Sequence, residues 1–348
     1  MAINKTIIFC QAPADIPYVL SLYEQIRETS DISIFVINVE GMFRFLNDLK
    51  LDLEQLIFIP YQLKNLKKLL NLNSERRRIN SLFRKYFADV EQAEVFFFSR
   101  FEDWLTAAFL HKLSRKKGVQ IAYLNHYDHV SFFEKRHNMS LGLRAYVLTL
   151  KFLTGINFRV KIIEKLPELP IEDYNIIEKK PVLNEQVFAK YAYVGNFAGN
   201  GKSGALFFLS ECEDTIYDCR YYNNTLVDII SILHENNYNV IAKGHPRTGM
   251  PVVVKKICDN EIPAYVPGEF IDTSNIRICL GLDTNAICYF AKTGQLATYS
   301  LIRMVPTADI AMTEILVNFL ETQSENTMKF IDNKEQLYQV VQIHFNQQ

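Results

Sequence analysis

The sequence Asn-Val-Ile-Ala-Lys-Gly-His-Pro-Arg-Thr, residues 239–248, joins a short apolar run to a glycine and a compact basic cluster. The apolar residues 240–242 favour an interior strand of a parallel sheet, and Pro246 has no N–H group to donate to a neighbouring strand. We therefore predict a strand that ends near Gly244. In open α/β sheets ligands bind beside the carboxyl ends of the strands, so the residues that follow are candidates for a binding site.

The basic cluster holds three side chains that can carry positive charge, Lys243, His245 and Arg247. Three such groups so close together suit a phosphate better than a neutral ligand. The alternative is an ordinary His-Pro turn with a solvated cation on either side. The spacing alone leaves both interpretations open.

The segment Lys-Gly-His-Pro-Arg resembles the His-Pro motif of bacterial sialyltransferases and polysialyltransferases, glycosyltransferases of GT-B architecture that use a CMP-activated sugar. Two further segments follow in the order found in that family. Pro267-Gly268-Glu269 is similar to the Pro-x-Glu segment whose carboxylate holds the cytidine ribose. Residues 281–286, Gly-Leu-Asp-Thr-Asn-Ala, are similar to the Gly-x-x-Ser-Ser/Thr-Ala turn that binds the phosphate. The resemblance covers only about residues 239–290.

This resemblance implies an inverting, metal-independent glycosyltransferase. It would move a sialic-acid-like nonulosonic acid from its CMP ester to a hydroxyl of a bacterial surface glycan, with the CMP-sugar as donor substrate and no cofactor. His245 and Asp128 would be catalytic, His245 serving the leaving phosphate and Asp128 taking the acceptor proton. The residues implied to bind CMP are Lys243, Gly244, Pro246, Arg247, Gly268, Glu269, Thr284 and Asn285. For Thr284 an ordinary helix N-cap is the alternative.

The choice of Asp128 as base depends on the predicted strand at residues 118–124, which runs into Asn-His-Tyr-Asp-His. Related transferases carry an acidic pair and a glycine at this position, and this sequence does not. Two alternatives therefore stay open, a polar loop without chemistry and a metal half-site made by His126 and His129. The reserve candidates for the base are Glu213 and Asp214, which follow a predicted strand at residues 205–210.

The alternation of strand and helix patterns predicts an α/β fold, with two Rossmann-like doubly wound domains facing a central cleft. The length of 348 residues agrees with two domains. We place the acceptor domain at residues 1–165, a Pro- and Glu-rich linker at 166–190 and the CMP-sugar-binding domain at 191–330. A C-terminal helix follows at 331–348, and whether it crosses to the first domain is left open.

Composition limits the location and the partners of the protein. The net charge of −1 gives no reason to expect nucleic acid as a partner. No apolar run is long enough for a spanning helix, and the start has no signal-peptide pattern. The six cysteines show no Cys-x-x-Cys or zinc spacing, so we expect reduced thiols in a cytoplasmic protein.

The segment 62–88 has a helical pattern and is the most basic stretch of the chain. It predicts either a solvated helix face or a contact with an anionic membrane, at its inner face, or with an acidic acceptor glycan. For the whole protein three further functions remain: a CMP-Kdo transferase, a CDP-glycerol-type transferase, and a non-catalytic glycan assembly protein with a decayed nucleotide site. The sequence makes no prediction of oligomeric state.

Overall fold

The computed structural model describes residues 4–60, 72–100, 103–126, 141–161, 166–195, 197, 202–246, 248–308 and 310–345. The chain divides into two compact units, Met1–Val187 and Phe188–Gln348. None of the helices in the described ranges has the length and apolar character needed to cross a bilayer.

Unit 1 is built on a six-stranded parallel sheet with strand order β3-β2-β1-β4-β5-β8. Its strands are β1 (Asn4–Cys10), β2 (Ser30–Ile37), β3 (Gln55–Ile59), β4 (Gln92–Phe97), β5 (Gly118–Leu124) and β8 (Ile177–Lys179). A separate antiparallel hairpin consists of β6 (Arg159–Lys161) and β7 (Leu166–Glu168). The helices are α1 (Ile16–Ile26), α2 (Glu40–Asp48), α3 (Leu72–Phe87), α4 (Trp104–Leu113), α5 (Leu141–Thr154) and α6 (Gln186–Lys190), which spans the boundary.

The core of unit 1 follows from strands that are apolar on both faces. In β1 the residues from Ile7 to Cys10 are all buried, as expected for an interior parallel strand covered by helices on both sides. Aromatic rings of β1, α3 and α4 meet on one face, where the centroid of Phe87 lies 6.0 Å from Phe9 and 5.2 Å from Phe109. Only the second part of the predicted basic helix, α3, is described, because residues 61–71 lie outside the described ranges.

Unit 2 has a second six-stranded parallel sheet with strand order β11-β10-β9-β12-β13-β14. Its strands are β9 (Ser203–Leu209), β10 (Tyr238–Gly244), β11 (Asn260–Ile262), β12 (Ile276–Gly281), β13 (Ala297–Ser300) and β14 (Lys329–Phe330). The helices are α7 (Cys219–Glu235), α8 (Val252–Ile257), α9 (Asn285–Thr293), α10 (Ile310–Gln323) and α11 (Lys334–Phe345). The predicted strand in the segment 239–248 is β10, which is buried throughout and ends at Gly244.

Both sheets share one topology, in which the chain builds outward in one direction and then returns to build outward in the other. The prediction of two Rossmann-like doubly wound α/β domains is confirmed. The direction changes between β1 and β4 in unit 1, and between β9 and β12 in unit 2. A crevice forms at such a switch point, beside the carboxyl ends of the strands, and this is where ligands bind in folds of this type.

The runs Tyr-Ala-Tyr-Val-Gly at residues 191–195 and Ala-Tyr-Val at residues 264–266 each predict a strand, and both predictions are wrong. Residues 191–195 form no strand, and Tyr193 makes only an isolated bridge to Ile271. The strand predicted at 264–266 lies at residues 260–262 instead. Pro263 explains the shift, since it has no N–H group with which to continue the ladder to β10.

The segment predicted as a linker, residues 166–190, contributes structure to unit 1. Strand β8 extends the sheet by pairing with β5, and Ile171 and Ile176 are buried in the core of this unit. At the other end of the chain, α11 packs on α7 and β12 of unit 2. The Tyr238 hydroxyl donates a hydrogen bond of 3.0 Å to the carbonyl oxygen of Val341, which fixes this helix to β10.

The expectation that all six cysteines are reduced is wrong for one pair. Cys212 and Cys219 form a disulfide across the loop between β9 and α7, with their Cα atoms 5.8 Å apart. This separation lies within the range that a disulfide can bridge. The loop folds back on itself before α7 begins, and the sequence spacing alone does not reveal this. Cys10, Cys258, Cys279 and Cys288 are thiols.

Candidate functional site

A cavity of about 250 Å³ opens at the switch point of unit 2. It is lined by Phe208, Leu209, Ser210, Glu213, His245, Asp283, Thr284, Asn285 and Phe319. These residues come from the carboxyl ends of β9, β10 and β12, from the start of α9, and from α10. The cavity therefore lies where a doubly wound sheet binds its ligands.

His245 reaches this cavity from a tight turn that begins where β10 ends. Its backbone N–H donates to the carbonyl oxygen of Gly249 at 2.9 Å, and the N–H of Gly249 donates back at 2.8 Å. Gly249 has a φ of +83°, which glycine adopts without strain. The Thr248 hydroxyl lies 3.3 Å from Nδ1 of His245. Pro246 is exposed in the same turn, and Arg247 lies outside the described residues.

Thr284 and Asn285 bring the N-terminus of α9 to the same cavity. Thr284 is the N-cap of this nine-residue helix, and its hydroxyl accepts a hydrogen bond from the N–H of Ala286 at 3.4 Å. The capping interpretation is therefore correct, and it is compatible with anion binding. The first turn of a helix presents N–H groups and the positive end of the helix dipole, both of which favour negative charge.

Lys243 and Glu269 lie near the cavity but do not line it. Lys243 is only 4% exposed, and its Nζ atom lies 3.3 Å from the carbonyl oxygen of Ala264 and 3.4 Å from that of Gly244. Burial lowers the pKa of Lys243 to about 8, and the nearby Glu269 partly opposes this. Burial raises the pKa of Glu269, and Lys243 partly opposes that change. The two side chains form an electrostatically coupled pair.

Phe208 joins the three motif segments into one structure. Its ring centroid lies 5.9 Å from Nζ of Lys243. A Cβ atom added to Gly268 would lie 3.2 Å from the Phe208 ring and 2.8 Å from Cβ of Ala286. Gly268 therefore lets the turn that carries Glu269 approach both β9 and the start of α9. The segments quoted from the sequence thus converge on one side chain, which sequence reasoning did not select.

Two carboxylates share the cavity with His245. Glu213 is one of the two reserve bases, whereas the other, Asp214, does not line the cavity; both side chains are exposed. Asp283 is new as a site residue. Its pKa is raised mainly by burial and further by Glu213, while the Tyr217 hydroxyl beside it and His245 lower it. Asp283 could have been found from the sequence, since it follows the end of β12 by two residues.

The predicted base, Asp128, lies outside the described residues together with His129, so its position in the site stays a prediction. His126 is described. Its Nε2 atom lies 2.8 Å from Oδ1 of Asp15, and both side chains are buried. Asp15 also accepts hydrogen bonds of 2.7 Å from the backbone N–H groups of Gln11 and Ala12. His126 is thus engaged with a carboxylate, and within the described ranges no cluster of three His, Cys, Asp or Glu residues is placed to bind a metal.

The sequence Gln-Ala-Pro-Ala-Asp at residues 11–15 predicts only a turn, so Asp15 is a second residue that sequence reasoning missed. It lies at the switch point of unit 1. Gln11, which follows β1, accepts hydrogen bonds at Oε1 from the N–H groups of Phe98 (2.9 Å) and Ser99 (2.7 Å), at the end of β4. The ring of Tyr18 stacks on His126 with a centroid distance of 4.4 Å. The position of Asp15, just beyond the end of β1, was the available signal.

Comparisons with known proteins identify no family. No family model and no curated protein matches this chain.

Solved structures do show a similar fold. A sialyltransferase from Photobacterium damsela is 11% identical, and the match covers 94% of this chain and 81% of the sialyltransferase, with a TM-score of 0.46. The glycosyltransferase SnogD from Streptomyces nogalater is 8% identical, with coverages of 99% and 95% and a TM-score of 0.47. MnaA from S. aureus, in a structure with UDP, is 12% identical, with coverages of 97% and 87% and a TM-score of 0.47. Likenesses this low do not support an inference about activity.

Proposed function

We propose that this protein is an inverting glycosyltransferase that transfers a sialic-acid-like nonulosonic acid from its CMP ester to a glycan hydroxyl. The observation that carries the proposal is the convergence of three segments in unit 2. The turn with His245, the turn with Gly268 and Glu269, and the start of α9 meet around Phe208 beside a cavity at the switch point. Their order in the chain and their resemblance to a CMP-binding motif set give that cavity its proposed ligand.

In the proposed reaction the acceptor hydroxyl oxygen attacks the anomeric carbon of the donor sugar. The bond from that carbon to the phosphate oxygen breaks, and CMP leaves with the bonding electron pair. His245 and the N-terminus of α9, with Thr284 and Asn285, stabilise the growing negative charge on the phosphate. Glu269 would accept hydrogen bonds from the ribose diol. Nζ of Lys243 lies 5.9 Å from the centroid of the Phe208 ring, and its positive charge favours the ionised form of Glu269.

A carboxylate takes the proton that the acceptor hydroxyl loses. Asp128 is the first candidate, because it follows β5 in the unit proposed to bind the acceptor. Glu213 is the second, since it lines the same cavity as His245. Asp214 does not line the cavity, so it is the weaker of the two reserve candidates.

Carboxylates beside a proposed phosphate site need an explanation, because two ionised groups would repel the anion. Burial raises the pKa of Asp283, which favours its neutral form. When Asp283 is protonated it is a hydrogen-bond donor, and it would then donate to a phosphate oxygen instead of repelling it. Glu213, which is more exposed than Asp283, is kept in this proposal as the second candidate for the base.

A mass-spectrometric screen of donor hydrolysis tests the proposal. Purified protein is incubated separately with CMP-sialic acid, CMP-pseudaminic acid, CMP-Kdo and CDP-glycerol, and release of CMP or glycerol phosphate is followed. Hydrolysis of a CMP-nonulosonic acid that is lost in His245→Ala supports the proposal. Turnover of only CMP-Kdo or CDP-glycerol would assign one of the alternative transferases. No turnover with any donor, together with no CMP binding, would favour a non-catalytic assembly protein.

A further inference from the structure

Helix α5 carries an exposed apolar stripe. Leu141, Leu148 and Phe152 are 84%, 65% and 42% exposed. They are separated by seven and four residues, which places them on one side of an α-helix. The opposite side of the helix, with Leu150 and Leu153, is buried in the core of unit 1. Helix α5 is therefore apolar on its outer face as well as on its inner face.

An isolated exposed leucine needs no explanation, but an aligned series on one helix does. A helix on the surface of a globular domain normally places polar residues outward and apolar residues inward. Exposed apolar residues that form a continuous patch mark a contact surface for a partner or a membrane. The stripe of α5 thus indicates that something covers this face.

Positive charge borders the stripe. Arg144 and Lys151 are exposed on α5, three and ten residues after Leu141, which places both along one edge of the stripe. The guanidinium of Arg76, from the neighbouring α3, lies 5.6 Å from the centroid of the Phe152 ring. A partner that covers the stripe must therefore be able to bind several positively charged side chains at this border.

The cationic region continues onto α3 and α4. The pKa of Lys112 is lowered first by burial and then by the charges of Arg115, Arg76 and Arg84. Like charges lower the pKa of a lysine only when they lie close to it, so these four cations form one positive region. The apolar stripe of α5 and this positive region therefore lie side by side.

We propose that this face docks on an anionic lipid bilayer. Leu141, Leu148 and Phe152 enter the interfacial layer, while Arg144, Lys151 and Arg76 bind anionic headgroups. An apolar stripe edged by arginine and lysine is the composition of helices that lie in the plane of a membrane surface. Each cation near such a surface adds attraction that salt screens. This inference is independent of the donor sugar and of the chemistry of unit 2.

Flotation of the whole protein with vesicles tests the docking surface. Binding is compared between phosphatidylcholine vesicles and vesicles of phosphatidylcholine mixed with phosphatidylglycerol, at low and high salt. We expect binding to the mixed vesicles only, weakened by salt. Leu148→Asn/Phe152→Asn should weaken it about tenfold or more, because the inserted apolar area is lost. The matched control is Val252→Asn/Ile343→Asn, which changes two exposed apolar residues of unit 2 and should leave binding unchanged.

The role of charge is tested separately. Arg144→Gln/Lys151→Gln should reduce binding to the mixed vesicles about tenfold or more, from the loss of two cations at the surface. Arg277→Gln/Lys256→Gln removes two exposed cations of unit 2 and should have no effect. If the two double variants lose vesicle binding equally, the protein is attracted by its overall charge, and the proposed surface is overturned.

A fluorescence experiment distinguishes insertion from adsorption. The chain has a single tryptophan, Trp104, so Leu148→Trp adds one reporter on the stripe. Brominated lipids should quench the new tryptophan and leave the emission of the unchanged protein unaltered. No quenching, or no difference between the vesicle types, would overturn the proposal. Self-association that rises with protein concentration and disappears in Leu148→Asn/Phe152→Asn would assign the stripe to a second copy of the chain instead.

Discussion

The Nε2 atom of His126 and the Oδ1 atom of Asp15 lie 2.8 Å apart, so one hydrogen bond joins the loop after β1 to the end of β5. Asp15 is fully buried and accepts two backbone N–H groups as well. Three donors thus depend on one carboxylate. His126 is also the last described residue before Asp128, the proposed base.

The first prediction concerns the stability supplied by this carboxylate. Asp15→Ala leaves two buried backbone N–H groups and Nε2 of His126 without their acceptor, and each buried polar group that loses its hydrogen-bond partner costs about 1–3 kcal/mol. We expect that loss in the free energy of unfolding, measured by urea denaturation. Asp31→Ala, at an exposed carboxylate of β2, is the control and should change stability by less than about 0.5 kcal/mol. Similar effects for both variants would show that the contact is not important for stability.

The second prediction separates the proposed base from the group that serves the leaving phosphate. Asp128→Asn should keep CMP affinity and lose turnover, because only the proton acceptor is removed. His245→Ala should damage both, with a loss of about two to three orders of magnitude in rate, since a group that stabilises a developing anion is gone. Single-turnover kinetics and CMP titration calorimetry give the two quantities independently.

Glu213→Gln and Asp214→Asn complete that comparison. Glu213 lines the cavity and Asp214, its neighbour in the chain, does not, which makes Asp214→Asn a matched control. If Asp128→Asn keeps nearly normal transfer while Glu213→Gln abolishes it, the base is Glu213 and unit 2 performs both roles.

The sequence was sufficient where one local pattern determines one structure. The apolar run before Gly244 and the missing N–H group of Pro246 predicted β10 and its end, and the alternation of strands and helices predicted two doubly wound sheets. The last strand that the sequence predicts is residues 295–300, so β14 is missed, because a two-residue strand has no recognisable periodicity. The position of β11 was predicted wrongly. Pro263 ends this strand by interrupting its pairing with β10, and the local sequence does not show which strand β11 pairs with.

The parts of the site that could not be predicted depend on tertiary packing. Asp15 and His126 are 111 residues apart in the chain, and only the order of strands in the sheet brings them together. Phe208 looks in the sequence like any core aromatic residue of a buried strand. Its contact with Gly268 depends on how the loop before β12 folds back, and nothing in the local sequence encodes that geometry.

The third prediction uses the buried lysine. Burial lowers the pKa of Lys243 to about 8, so between pH 8 and 10.5 the unfolded chain binds a proton that the folded chain does not. Stability must therefore rise with pH across this window, by up to about 3 kcal/mol from this group.

The variant Lys243→Met lacks the titrating amine and has an apolar side chain of similar length. The difference in unfolding free energy between wild type and this variant, followed by urea denaturation from pH 7 to 10, should shift in favour of wild type. A constant difference would mean that Lys243 is not a buried, easily deprotonated amine.

The fourth prediction concerns the disulfide of Cys212 and Cys219. Closing a loop of about eight residues contributes about 2.5 kcal/mol by restricting the unfolded chain. Cys212→Ser/Cys219→Ser should lose about this amount, and should also weaken CMP binding because Glu213 and Tyr217 lie within the bridged loop. Added reductant should lower the thermal midpoint of wild type and not that of the variant.

Cys258→Ser, at a partly exposed thiol, controls for the loss of a sulfur atom. Thiol labelling that finds six reactive cysteines in the unfolded, unreduced protein would exclude the disulfide.

The last prediction tests whether the three segments must meet at Phe208. Gly268→Ala adds a Cβ atom 2.8 Å from that of Ala286 and 3.2 Å from the Phe208 ring, so the turn with Glu269 has to move away from α9. Overpacking of this size costs about 1–3 kcal/mol in stability, and CMP affinity should fall because Glu269 moves with the turn.

Gly294→Ala is the control. A Cβ atom at Gly294 meets nothing within 4 Å, and its φ of +64° makes alanine cost about 1 kcal/mol, so it loses stability without a change at the cavity. CMP titration of the two variants at matched stability isolates the effect on the site. Equal CMP affinities would show that the approach of Gly268 to Phe208 serves packing alone, and that the nucleotide does not depend on Glu269.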